Sequence, residues 1–116
     1  MSTKKERDQH ELFVSCVTSL MNNAYDRATD IYHYEIRGVD FKCKDALKFM
    51  EKYKEMMSNI ERTKAYLGLL NRMDPDENSE RYGNRYYIKY YNLPNIEKVM
   101  KNRVESIFKS CRCINK

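Results

Sequence analysis

Residues 45–73 read DALKFMEKYKEMMSNIERTKAYLGLLNRM, and this stretch decides the fold. Ala46, Met50, Tyr53, Met57, Ile60 and Leu67 recur at steps of four and three, with Lys64 at the one position that breaks the pattern. Phe49, Met56 and Leu70 widen the stripe. Apolar residues at that spacing lie along one side of an α-helix. Asp45 is placed to cap its start. A helix of nearly 30 residues spans roughly 45 Å at 1.5 Å per residue. A compact chain of this length is only about 35 Å across, since its radius of gyration is near 13 Å. The helix therefore bends, at Ser58-Asn59 or Gly68, or projects and meets a second copy. The near-heptad spacing favours a homodimer through Met50, Tyr53, Met57, Ile60 and Leu67.

Working outward toward the N-terminus, Thr3-Lys4-Lys5-Glu6 has the form of a capping box. Phe13, Val17, Leu20, Met21, Ala24, Ala28 and Ile31 follow it on one side of a helix expected over about 3–31. Cys16 borders that side and reads as a small buried hydrophobe. From Tyr32 to Cys43 the period changes. Tyr32, Tyr34 and Ile36 alternate with polar residues, as do Val39, Phe41 and Cys43, which is a weak hairpin signal. The preferred reading extends the first helix to Ile36 and stops it with a glycine cap at Gly38.

Toward the C-terminus, Asp74 to Glu80 forms an acidic loop. Its alternating acids do not make a calcium loop, because Ser79 stands where the turn glycine belongs and Arg85 where the bidentate acid belongs. There follows RYGNRYYIKYYNLP, residues 81–94, with five of the ten tyrosines, three cations and no acid. As a strand it would turn Tyr86, Ile88 and Tyr90 inward; as a helix it pairs Tyr86 with Tyr90 and Tyr87 with Tyr91. Pro94 suits the first turn of a last helix, about 94–113. That helix has an apolar side of Ile96, Val99, Met100, Val104, Ile107, Phe108, Cys111 and Ile114. Lys98, Lys101, Lys109, Arg112 and Lys116 lie opposite, with Glu105 among them.

The fold class expected from these patterns is mainly α. It is a single-domain bundle of three to four helices over residues 1–116, with a minor β element at 32–43 or 85–91 as the variant. Only three Gly and two Pro among 116 residues fit that class. The charged N-terminus has no signal-like apolar run, and no window is apolar enough to span a membrane. An intracellular protein with Cys16, Cys43, Cys111 and Cys113 as reduced thiols follows as the expectation.

The net charge of +5 is unevenly spread. Residues 81–116 carry nine Lys/Arg against Glu97 and Glu105, a local +7, so residues 1–80 carry −2. Such concentration makes a phosphate-bearing or acidic partner credible. No phosphate loop, metalloprotease, serine-elbow, kinase or dinucleotide motif occurs. His10 reads as solvated, and the Arg27–His33 spacing is too common to signify a nuclease. Zinc on Cys43, Cys111 and Cys113 is disfavoured, since no CxxC pair exists and residues two apart on a helix diverge. No enzyme, metal or cofactor is expected.

The leading expectation is nucleic-acid binding to RNA or DNA backbone. Arg81, Arg85, Lys89, Lys98, Lys101, Lys109 and Arg112 would meet phosphates, and Tyr87 and Tyr91 would act as aromatic contacts. The rival is a protein–protein adaptor or inhibitor whose hot spot is the same tyrosine stretch. Plentiful Lys, Asn, Tyr, Ile and Met point to an AT-rich genome, in which a small viral regulator or accessory factor binding a host protein fits either reading.

Overall fold

The computed structural model describes residues 3–75 and 80–114. It is all-helical, as the periodicity predicts, and no strand occurs among the described residues. Three rods run alternately up, down and up. The first is α1 (Lys4–Asp30), prolonged by a π-helical turn over Ile31–Ile36. A 3-10 turn at Cys43–Asp45 leads into the second, α2 (Ala46–Met73). The third is continuous from α3 (Glu80–Tyr87) through a second π turn (Ile88–Asn92) into α4 (Leu93–Ile114).

Both π turns have a visible cause in the spacing of buried residues. Ile31 and Ile36 are both sealed in the core, five residues apart; so are Ile88 and Leu93. In an α-helix, residues five apart point about 140° from one another. One wider turn brings each pair back to the same side. The second π turn also ends just before Pro94, which has no N–H for the carbonyl of Tyr90 inside that turn. The expected helix start at Pro94 is thus a change of winding within one rod, and neither the hairpin considered for 32–43 nor the strand considered for 85–91 forms.

The core runs the length of the bundle. Val14, Val17, Met21, Ala28 and Ile31 of the first rod meet Phe49, Met56, Ile60, Leu67 and Leu70 of α2. Ile88, Leu93, Ile96, Met100 and Ile107 close the third side. Each fully buried Ile, Leu or Phe contributes about 1.5–3 kcal/mol over an exposed one. Phe41 meets Phe49 edge-on at 5.1 Å, and Phe49 stacks on Tyr53. Buried Thr63 is satisfied within its own helix, donating from Oγ1 to the Asn59 carbonyl at 2.7 Å. Thr3 caps α1 as expected, its hydroxyl accepting from the Glu6 N–H at 3.1 Å.

Several expectations need correction. The bundle is elongated, 70 × 21 × 19 Å, with a radius of gyration of 18.5 Å, so α2 neither bends to fit a sphere nor projects alone. Rods alongside one another need no globular envelope. The seam assigned to a homodimer lies largely inside the single chain. Ile60 and Leu67 are 0% and 1% exposed, Tyr53 and Met57 pack on the core, and only Met50 is open. A one-helix pattern shows that a helix has a partner, but not whose. On α1, Val14 holds the inward position, while Phe13, Leu20 and Cys16 lie to the side and are exposed.

The first rod is not ended by a left-handed glycine, since Gly38 does not adopt positive φ. Arg103 of α4 closes it instead, donating from Nη2 to the carbonyls of Ile36, Arg37 and Val39 at 2.8–2.9 Å. A cation on the orphaned carbonyls of a helix end opposes the negative end of its dipole. Asp45 does not cap α2 with its side chain; its carboxylate accepts the Lys42 N–H at 3.1 Å and folds the connecting turn. Cys43 and Cys111 form a disulfide, so these two are not the reduced thiols expected. Of the acidic loop, residues 76–79 lie outside the described residues.

Candidate interaction surface

The 81–94 stretch forms an exposed tyrosine ledge on the third rod. Tyr86, Tyr87, Tyr90 and Tyr91 are 46% to 60% exposed, while Ile88 between them is buried and anchors the ledge. Tyr86 and Tyr90 have ring centroids 4.6 Å apart, and Tyr87 stacks on Tyr91 at 6.2 Å. Tyr86 also approaches Tyr91 at 6.0 Å, so the two helical pairs join into one cluster. The Lys89 ammonium stands 5.2 Å from the Tyr90 ring centroid, within cation–π range. The rings therefore cover one another rather than the core. Asn71, Arg85, Tyr86, Lys89 and Tyr90 line a recess of only about 30 Å³, so the ledge is a surface and not a pocket.

Arg85 does not belong to that surface. It is 3% exposed, with Nε donating to Asn71 Oδ1 at 3.2 Å and Nη2 to the Asp74 carbonyl at 2.7 Å. Its Nη1 also faces the Asp74 carboxylate at 3.4 Å. Position 85 precedes buried Ile88 by three residues, so its Cβ points inward along the same side. The expected phosphate contact is a strut between α3 and the end of α2.

Lys89, Lys98, Lys101 and Lys109 are exposed as the pattern requires. No ion pair holds Lys98, Lys101 or Lys109 among the described residues. The side chains of Arg81 and Arg112 lie outside the described residues. Three acids are paired with cations away from this stripe. Glu55 accepts from Arg27 Nε and Nη2 at 2.9 and 2.6 Å, Glu35 from Lys52 at 2.9 Å, and Glu97 faces Lys64 at 2.6 Å. The Lys52 hydrogen bond holds the Glu35 carboxyl below its ordinary pKa, and the Glu97 contact raises that of Lys64. Tyr25, half-buried beside the foot of the ledge, accepts a hydrogen bond from the Asn92 amide, and burial pushes its pKa up.

The remaining candidates are occupied structurally. Arg27 is bound to Glu55, so it is not a free partner for His33. His10 contacts the Met73 carbonyl at 3.1 Å instead of standing in solvent alone. Arg103, which sequence reading left unassigned, is the clamp on residues 36–39. It sits one position before Val104 and differs from the outward lysines only in helical phase. Comparison with protein-family models, with characterised proteins and with solved structures finds no match to this chain.

Proposed function

We propose that this chain is a non-catalytic binding protein that lays the outer side of its third rod along a nucleic-acid backbone. The observation that carries this reading is the tyrosine ledge placed on the same rod as outward lysines that form no ion pair among the described residues. Lys89 to Lys109 covers 20 residues, about 30 Å of helix, comparable with roughly nine base-pair steps of 3.4 Å. Lysine ammonium groups along that length would neutralise phosphates, and exposed rings would stack on unpaired bases at about 1–3 kcal/mol each. The loss of Arg85 from the surface lowers the expected charge but leaves this arrangement standing.

A shift assay with single- and double-stranded DNA and RNA across a salt series tests the reading. If the four lysines make the contacts, log affinity for duplex falls with log salt at a slope of about −3.6. Lys98→Glu, Lys101→Glu and Lys109→Glu together should abolish binding while the far-ultraviolet circular dichroism stays helical. No binding of any nucleic acid at low salt would end this proposal.

A protein partner is the second reading, and one further observation favours it. Lower on the bundle, Ala46, Phe49, Met50, Val104, Ile107 and Phe108 line an open apolar groove between α2 and α4. An apolar groove bordered by the rod that carries the tyrosine ledge suits a protein interface, where Tyr is enriched. Salt-insensitive binding to a protein, lost with Tyr87→Ala and Tyr91→Ala, would support it.

A further inference from the structure

The disulfide ties the turn before α2 to the end of α4. Cys43 opens the turn that leads into α2, and Cys111 lies near the end of α4, 68 residues away in sequence with Cα atoms 4.9 Å apart. Up to Met100, α4 is fixed by buried Leu93, Ile96 and Met100, and by Glu97 facing Lys64. Beyond Met100 the attachment thins. Val104 is 38% exposed and Phe108 61%, and among the described side chains of that segment Ile107 is the buried apolar one. The Arg103 clamp holds its upstream edge, and the disulfide holds its far end. Both bonded cysteines are half-buried rather than sealed in the core, and Cys111 lines the α2–α4 groove.

We infer that Cys43–Cys111 is a thiol-operated latch. Reduction frees the end of α4 beyond Arg103 from the Cys43 turn and opens the groove over Phe49 and Ile107, while the rest of the bundle persists. The chemistry is exchange with a dithiol. One reductant thiolate attacks a sulfur of the bond, forming a mixed disulfide and releasing the other cysteine as thiolate. The second reductant thiolate then displaces the remaining cysteine and closes the reductant's own disulfide. Two electrons and two protons pass from the dithiol to Cys43 and Cys111. The body survives because the α1–α2 core, the Arg85–Asp74 strut and the Arg103 clamp do not pass through this bond. Lys109 rides on the released segment, whereas Lys89, Lys98 and Lys101 do not, so the latch acts on one end of the rod's outer face only.

The test uses the full chain. Peptide mapping of air-oxidised protein without reductant should recover residues 43 and 111 in one linked fragment. Hydrogen exchange is then followed with and without dithiothreitol. Amides of 104–111 should exchange at least about tenfold faster after reduction, and those of 49–70 should not change. Cys43→Ser without reductant should reproduce the same local pattern, which separates the bond from any effect on Cys16 or Cys113. Failure to find the linked fragment overturns the latch. So does unchanged exchange at 104–111, and so does equal acceleration across all three rods, which would make the bond a support of the whole fold.

Discussion

Arg85 Nη2 donates to the backbone carbonyl of Asp74 at 2.7 Å, so a cation from the most basic stretch of the chain closes the end of α2. The last carbonyls of a helix lack intrahelical donors, and a guanidinium can serve several at once. Removing a buried, hydrogen-bonded charge strands its partners without water. Arg85→Ala should therefore cost about 3 kcal/mol in urea unfolding, and Arg85→Lys should restore little of it because an ammonium cannot fork. Lys89→Ala, on the exposed ledge, should stay within about 0.5 kcal/mol of the parent. Equal effects for the two positions would show that Arg85 is not the strut described here.

The winding of the third rod makes a sharper prediction. Deleting Tyr90 removes the extra residue of the π turn and restores α-helical winding between Ile88 and Leu93. Ile88 and Leu93 are then four apart, about 40° in an α-helix, so Leu93, Ile96, Met100 and Ile107 still face the core. The deletion variant should keep cooperative unfolding, whereas one alanine inserted after Tyr90, which turns α4 by about 100° relative to α3, should abolish it. A deletion variant that loses cooperative unfolding would show that the spacing of buried residues does not set the π turn.

Those two turns also mark where the sequence stopped being readable. Periods of 3.6 and 2 find α-helices and strands, and they found α1, α2 and α4 with boundaries close to the observed ones. A step of five fits neither period, so Ile31–Ile36 and Ile88–Leu93 looked like places where the pattern changed or broke. The tyrosine ledge was legible as a concentration of residues, but its direction depended on that same step. Arg85 and Lys89 look alike in composition, and only helical phase across the turn separates the strut from the surface. Cysteine pairing was out of reach for another reason: a disulfide needs Cα atoms within about 7 Å, a property of the folded chain and not of spacing.

The heptad-like residues of α2 give a test of where that seam belongs. Ile60 and Leu67 face α1 and α4 within one molecule. Ile60→Ala and Leu67→Ala should each cost about 2–5 kcal/mol through a cavity. The midpoint of unfolding should not move with protein concentration. A midpoint that rises with concentration, lost in either variant, would return these residues to an intermolecular seam.

Alkaline pH should loosen the contact between α4 and its two neighbours before acid does. Tyr25 has its pKa raised from 10.0, by burial first, and Lys64 has its pKa raised from 10.5, by Glu97 first. A pKa raised on folding means that the native state holds its proton over a range where the unfolded chain has lost it. Stability from both groups is then complete below about pH 10 and declines as pH rises through the folded values, with the smaller share from Lys64, whose side chain is 46% exposed. Glu35 works in the opposite direction. Its pKa is lowered from 4.5, so its contribution is present above that value and falls away in acid, but the group is partly open to solvent and its effect is correspondingly small. Melting temperature followed from pH 9 to 12 should fall, and Tyr25→Phe should flatten part of that fall because no phenolate can form. An unchanged alkaline slope in Tyr25→Phe would mean that the loss comes from lysines alone; no fall in the parent would remove both groups from the account.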